Sequence, residues 1–165
     1  MSSSTKLNLD SSGVEVSTSL YRIIIGSLLC LIASRPDIAF SVGVCARYQA
    51  ALKESHLTVV KRIIRYVNGT LDYGLWYSKD SNAYLAGYLD ADWTGSVDDR
   101  KSTSGGCFYL GNNLVSWMNK KQNFVSLYGR SRVHSCWELL HITSLDEEAT
   151  SRLRDSPRYN VCVMW

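Results

Sequence analysis

The period of the hydrophobic pattern changes once along this chain, at Tyr73, and that change limits the folds open to it. Before Tyr73 apolar residues recur at helical spacing. Ile24, Leu28, Leu31 and Ile32 mark a helix over Leu20 to Ala33, and Ser34-Arg35-Pro36-Asp37 stops it, because the residue before a proline avoids helical geometry. Pro36 can open the next helix at its first turn, which predicts Pro36 to Gln49. A third helix is expected from Ser55, a good N-cap, to Val67, ending at Asn68-Gly69. Its apolar face is Leu57, Val60, Ile64 and Val67, and Lys61, Arg62 and Arg65 share the opposite side.

After Tyr73 the period is two. Tyr73 to Lys79, Tyr84 to Trp93, Gly105 to Gly111 and Leu114 to Lys120 read as strands, with turns at Asp80-Ser81-Asn82 and Asn112-Asn113. The loop Thr94 to Ser104 carries Asp98, Asp99, Arg100 and Lys101 and is expected to be solvated. Helices followed by an antiparallel meander make the fold class α+β. Met1 to Ser19 is rich in Ser and Thr and reads as a flexible leader.

Composition excludes several classes. The chain is 165 residues long, 45% hydrophobic and 20% charged, which rules out disorder throughout and a collagen-like fibre. The longest apolar run, Ile23 to Ala33, is interrupted by Gly26-Ser27 and falls short of the roughly 18 residues of a membrane span. No signal peptide is evident, so the expectation is an intracellular chain with no membrane partner. Five dispersed cysteines form no Cys-x-x-Cys pair and predict reduced, mostly buried thiols. A net charge of +3 permits a nucleic-acid partner without requiring one, and nothing in the residues sets an oligomeric state.

Two sets of residues carry chemistry. Alternation along the Tyr84 strand places Tyr88, Asp90 and Asp92 on one face and Leu85, Leu89 and Ala91 on the other. Two carboxylates so spaced can share Mg²⁺, which takes hard oxygen ligands, although a two-metal nuclease centre needs further carboxylates. Two ordinary acids at a solvated strand end fit the same spacing. The basic face Lys61, Arg62 and Arg65 could meet a phosphate backbone, or it could be the solvated side of an amphipathic helix. His56, His134 and His141 have no zinc-ligand spacing, and no P-loop or nucleophile elbow is present.

Three blocks, YRIIIGSLLCLIASRPDIAF (Tyr21 to Phe40), VKRIIRYVNGTLDYGLWY (Val60 to Tyr77) and GYLDADWTGSVDDRKSTSGGCFYLGNNLVSWMNKKQ (Gly87 to Gln122), resemble the Pol polyprotein of copia-type retrotransposons. The resemblance covers about three quarters of the chain, and its motifs stand in family order. It implies that residues 20–72 are a thumb and connection remnant from the end of a reverse transcriptase. It further implies that 73–126 begin a ribonuclease H-like domain, whose parent enzyme uses Mg²⁺ on RNA–DNA hybrids. Asp90 matches the first metal-binding aspartate, while Asp92 matches a motif position that is not a required ligand. Leu89 stands where serine is usual.

The resemblance breaks at Leu127. Up to there the chain has seven lysines and six arginines; beyond it, five arginines and no lysine. The family continues into a helix reading Ser-Thr-Ala-Glu-Ala-Glu-Tyr, which supplies the second metal-binding carboxylate. Here the chain reads LYGRSRVHSCWELLHITSLDEEAT. Back-translated with permitted codons and read one base later, that stretch gives STAEAEYIAAGSCCTSLLWMKKL. Residues 127–165 are therefore read as a frameshifted tail, expected to be largely irregular, with Trp137 to Ile142 as a chance helix. The sheet is then truncated, and a chain left with Asp90 and Asp92 is expected to hold no Mg²⁺ stably. RNA–DNA hybrid or other nucleic acid remains the partner the resemblance implies.

Overall fold

The computed structural model describes residues 6–79, 84–92, 94–123 and 125, and the backbone of 160–163. It divides into two compact units, Met1–Leu75 with Ser96–Asp98, and Trp76–Gly95 with Asp99–Trp165. In the first, three α-helices follow one another: α1 (Thr18–Leu31), α2 (Ala39–Ala46) and α3 (Glu54–Gly69). Tyr21, Ile25 and Leu28 recur at i, i+4 and i+7 on α1 and pack with Val42 and Cys45 of α2 and Val60 and Ile63 of α3. Val42, Cys45 and Val60 are fully buried. A buried aliphatic side chain of this size contributes about 1.5–3 kcal/mol relative to exposure. The Tyr21 hydroxyl donates to the Cys45 carbonyl at 2.9 Å, so its polar atom enters the core already paired.

The expected second helix is split. Pro36–Ile38 forms a short 3-10 turn opened by the proline, and α2 ends at Ala46, three residues before Gln49. The third helix starts one residue before Ser55, which is not its cap. Instead the ring of His56 accepts the backbone N–H of Lys53 through Nδ1 at 3.1 Å, the place an acidic side chain takes in a capping box.

The segment read as a flexible leader departs from that expectation over Leu7 to Val16. Its backbone is bonded to the loop and first turn before and within α3: Glu54 N donates to Val14 O at 3.0 Å, and Val16 N to Leu52 O at 3.4 Å. Glu15 pairs with Lys53 at 3.2 Å, and the Ser55 hydroxyl donates to Asp10 at 2.6 Å. Polar composition predicted mobility, but these polar side chains and backbone groups find partners at the start of α3.

The second unit is a sheet of four strands in the order β3-β2-β1-β4. Here β1 is Leu85–Ala91, β2 Thr103–Leu110, β3 Asn113–Lys121 and β4 Asn160–Val163. The first three are antiparallel neighbours, with Tyr88 opposite Cys107 and Asp90 opposite Gly105. The β2–β3 turn lies at Gly111-Asn112, one residue earlier than expected, and Gly111 takes a φ of 60° that favours glycine. Along β1, Gly87, Leu89 and Ala91 are buried while Asp90 is exposed, which is the alternation expected of it. A Cβ at Gly87 would stand 3.1 Å from the Phe108 ring, so the strand passes closely there because it has no side chain.

One strand expected before β1 does not form. Tyr73 to Ser78 is not a strand; the Tyr77 hydroxyl donates to Leu114 O at 2.9 Å, and Ser78 exchanges hydrogen bonds with the Asn113 amide at 2.8 and 3.0 Å. Side-chain bonds replace the backbone ladder that the alternation suggested. Of the tail, only Asn160–Val163 is described, as β4 running parallel to Ala86–Leu89; the rest of residues 127–165, expected to be largely irregular, lies outside the described residues. An open strand edge offers unpaired backbone groups to any short segment of suitable β propensity. The predicted turn at residues 80–82 and the chance helix at Trp137 to Ile142 lie outside the described residues. Among the described residues no helix is long and apolar enough to cross a membrane.

Candidate functional site

Asp90 and Asp92 stand at the end of β1, where the strand gives way to the loop that leads to β2. The antiparallel register with β2 sets Asp90 opposite Gly105, which has no side chain to cover it. Its carboxylate accepts from the backbone N–H of the next residue, Ala91, at 2.8 Å.

Asp92 is placed differently. Its backbone N–H donates to Thr103 O at 3.1 Å, and its carboxylate accepts the Thr103 N–H, so the residue closes both ends of the loop upon β2. A Cβ at Gly95 would overlap that carboxylate, which explains the small residue in Thr94-Gly95-Ser96. Asp92 is thereby part of the backbone hydrogen bonding of the loop. Among the described residues no three His, Cys, Asp or Glu side chains come together as a metal site.

The loop's charges are partly neutralised at home. Lys121 pairs with Asp99 at 2.8 Å and Lys101 with the same carboxylate at 3.9 Å. Asp98 accepts from Leu9 N at 3.0 Å and from the Tyr48 hydroxyl at 3.1 Å. The loop is solvated, as its charges suggest, with Val97, Asp98 and Arg100 exposed, and it is bonded as well. On the Asp90 face of the sheet, Ala86, Tyr88, Cys107, Tyr109, Gly111 and Asn112 line an open cavity of about 460 Å³. Tyr88 and Tyr109 meet edge to face in it, with ring centroids 5.7 Å apart.

On α3, Lys61, Arg62 and Arg65 are all exposed, and none has an ion-pair partner among the described residues. Three uncommitted cations within five residues of one helix form a small positive surface. His56, which the sequence sets beside them, is buried and faces the other way.

One cluster escaped sequence reasoning. Arg35 is buried, and its guanidinium forks onto Asp37 at 2.9 and 2.7 Å. It also donates to Thr70 O at 2.9 Å and to Thr70 Oγ1 at 2.8 Å, and it lies over the rings of Tyr66 and Tyr73. That bonding holds the Asp37 carboxyl below the usual carboxylate range, chiefly through the Arg35 hydrogen bonds. The Ser-Arg-Pro-Asp block thereby ties the turn after α1 to the end of α3. The signal was present in an Arg and an Asp flanking a proline, but the further partner of Arg35, Thr70, lies 35 residues on.

No protein-family description matches the chain, and no solved structure is similar to it at a significant level. Known sequences do match. The retrovirus-related Pol polyprotein from transposon RE1 of Arabidopsis thaliana is 38% identical over 95% of this chain, which spans 11% of that polyprotein's length. An uncharacterized mitochondrial protein of the same plant is 35% identical over 97% of this chain and 68% of its own length. The secreted RxLR effector protein 161 of Plasmopara viticola is 41% identical over 65% of this chain and 76% of its own. Sustained identity of this order with a transposon polyprotein agrees with the motif order along the chain, and the chain belongs to the retrovirus-related Pol polyproteins of copia-type transposons.

Proposed function

We propose that this chain is a catalytically inactive piece of a copia-type Pol polyprotein. Residues 20–72 are its reverse-transcriptase thumb and connection remnant, and residues 73–126 the first part of its ribonuclease H-like domain. The parent activity is RNA-directed DNA polymerisation and hydrolysis of RNA in RNA–DNA hybrids. The observation that carries the inactivity is the isolation of Asp90: its neighbour Asp92 is engaged by the Thr103 amide, and no third acid joins them among the described residues. Mg²⁺ binds poorly to one or two carboxylates without substrate phosphates. The test is incubation of the purified chain with an RNA–DNA hybrid and Mg²⁺. No cleavage is expected; cleavage that disappears in Asp90→Asn would overturn the proposal.

The tail belongs to the same reading. The one-base shift that turns residues 127–150 into a family-like helix is the observation for a frameshift. Against it stands the span of the long alignments, which leave out so few residues that they run well into the tail. Resequencing the locus across the codons for Val125 to Arg132 decides between them. An uninterrupted frame encoding the present residues, supported by transcripts, would sink the frameshift.

A second reading rests on α3, whose three exposed cations suit a non-catalytic nucleic-acid-binding remnant. Retention on an RNA–DNA hybrid that falls with salt, and falls further on charge reversal at Lys61, Arg62 and Arg65, supports it. Retention unchanged by the triple reversal refutes it.

A further inference from the structure

The end of α3 carries exposed aromatic rings beside its cations, all within the first unit. Tyr66 stands one turn after Arg62 and next to Arg65, and residues four apart lie one above the other on a helix. Tyr66 is 44% exposed and Tyr73, just beyond the helix, 63%. Arg35 lies over both rings, its central carbon 5.7 and 5.9 Å from their centroids. Arg35 is itself only 5% exposed, so what water reaches of the two rings lies away from it.

These rings are held before anything binds them. Arg35 is fixed by Asp37 and Thr70, the Tyr66 hydroxyl donates to Asp37, and the Tyr73 N–H donates to Thr70 O at 3.1 Å. A ring already in place loses little freedom when a flat partner lies on it. The surroundings are positive. From Lys61 to Tyr77 the three cations are set against a single acid, Asp72, and Asp37 is paired with Arg35.

Exposed ring faces beside exposed cations suit a ligand that alternates flat π-systems with negative charges along a flexible chain. A single strand of nucleic acid has that chemistry, since its phosphates meet cations and its base faces meet rings. A duplex keeps its bases stacked on one another, and an acidic peptide has the charge without the bases. We infer that Tyr66 and Tyr73 are a stacking platform for unpaired bases of a single strand whose phosphates are held by Lys61, Arg62 and Arg65. The inference rests on the reading of α3 as a nucleic-acid-binding face and adds that the strand it takes is unpaired.

Fluorescence anisotropy of the full chain with a labelled oligonucleotide of about a dozen residues tests this, the strand being offered in parallel as DNA and as RNA, whose bases stack alike. Affinity for the strand should fall about fivefold to a hundredfold in Tyr73→Leu, which keeps an apolar side chain and removes the π face. Tyr73→Phe keeps the ring and should keep the affinity, and binding to a blunt RNA–DNA hybrid should not change in either variant. An abasic strand of the same length needs no variant: it retains every phosphate, and the unaltered chain should hold it at least as weakly as Tyr73→Leu holds the complete strand. Equal affinity for abasic and complete strands, or equal losses of strand and hybrid in Tyr73→Leu, overturns the platform. If charge reversal at Lys61, Arg62 and Arg65 still weakens binding in that case, the cationic face stands without it. Failure of the unaltered chain to hold strand or hybrid refutes both.

Discussion

Replacing Asp92 by alanine separates the two aspartates of the β1 end by what each one does. The Asp92 carboxylate accepts the N–H of Thr103, a residue only 4% exposed. Removing the acceptor of a buried amide costs about 1–3 kcal/mol. A mid-range cost of about 2 kcal/mol means roughly 30-fold faster exchange of the Thr103 amide, at a factor of ten per 1.4 kcal/mol. Asp90 is exposed and, among the described residues, bonds its own neighbour alone, so Asp90→Ala should stay within about 0.5 kcal/mol of the parent. Gly95 supplies an internal control. A Cβ there overlaps the Asp92 carboxylate and would push it off Thr103, so Gly95→Ala should destabilise the parent but add little in the Asp92→Ala background. The assays are urea unfolding for the whole chain and hydrogen exchange at Thr103. Equal losses from Asp90→Ala and Asp92→Ala, or strictly additive losses from Asp92→Ala and Gly95→Ala, would refute the division of roles.

Two further outcomes follow from buried polar groups in the helical unit. Burial pushes the Cys45 thiol up to about 11, and it pushes the Tyr21 hydroxyl up as well, with Cys45 adding to the effect. The unfolded chain ionises first as pH rises, so stability is full below the ordinary thiol range and is lost as pH climbs through about 11. The loss is on the order of 2–3 kcal/mol, read as a falling urea midpoint whose pH slope should flatten in Cys45→Ala. Cys30 is exposed and should react promptly with a thiol reagent under conditions in which Cys45 does not. Arg35→Lys should lower thermal stability and loosen the Thr70 end of α3, because an ammonium cannot fork onto Asp37 while also reaching Thr70. An unchanged midpoint there would deny the cluster its bracing role.

How far the sequence disclosed this molecule depended on the range of the interactions. Helix periodicity marked α1 and α3 through Leu28 and Val60, which reach the core by spacing within a single element, but it named the partly buried Ile24 and Ile64 and passed over their fully packed neighbours Tyr21, Ile25 and Ile63. The alternation of β1 marked Leu89 and Ala91 as inward and Asp90 as outward for the same reason. Such patterns record which face is buried and say nothing about what a polar group across the chain will bond. Tyr73 to Ser78 alternates as a strand does, yet its polar groups are taken by Leu114 O and the Asn113 side chain, some 35 residues away. Polar Leu7 to Val16 looked mobile until Lys53, Ser55 and His56 supplied its partners. Arg35 fits the same pattern, since Asp37 was visible beside it and Thr70 was not.

The candidate site divides along the same line. An Asp-x-Asp pair on a strand is legible as a possible ligand pair, because alternation alone puts both side chains on one face. Whether both remain available depends on the return strand, and here β2 brings the Thr103 amide to Asp92 and the bare Gly105 to Asp90. One carboxylate becomes part of the loop and the other is left open. The resemblance implies a metal-binding role for Asp90 and none that is required for Asp92, and the hydrogen bonds separate the same two residues by their partners. It also follows that the strand end can keep its shape when catalysis is lost. The constraint on Asp92 is the Thr103 amide, which remains whether or not a metal ever binds, whereas Asp90 has no comparable structural duty. In an inactive copy of this domain, substitutions should therefore accumulate at Asp90 before they do at Asp92 or Gly95.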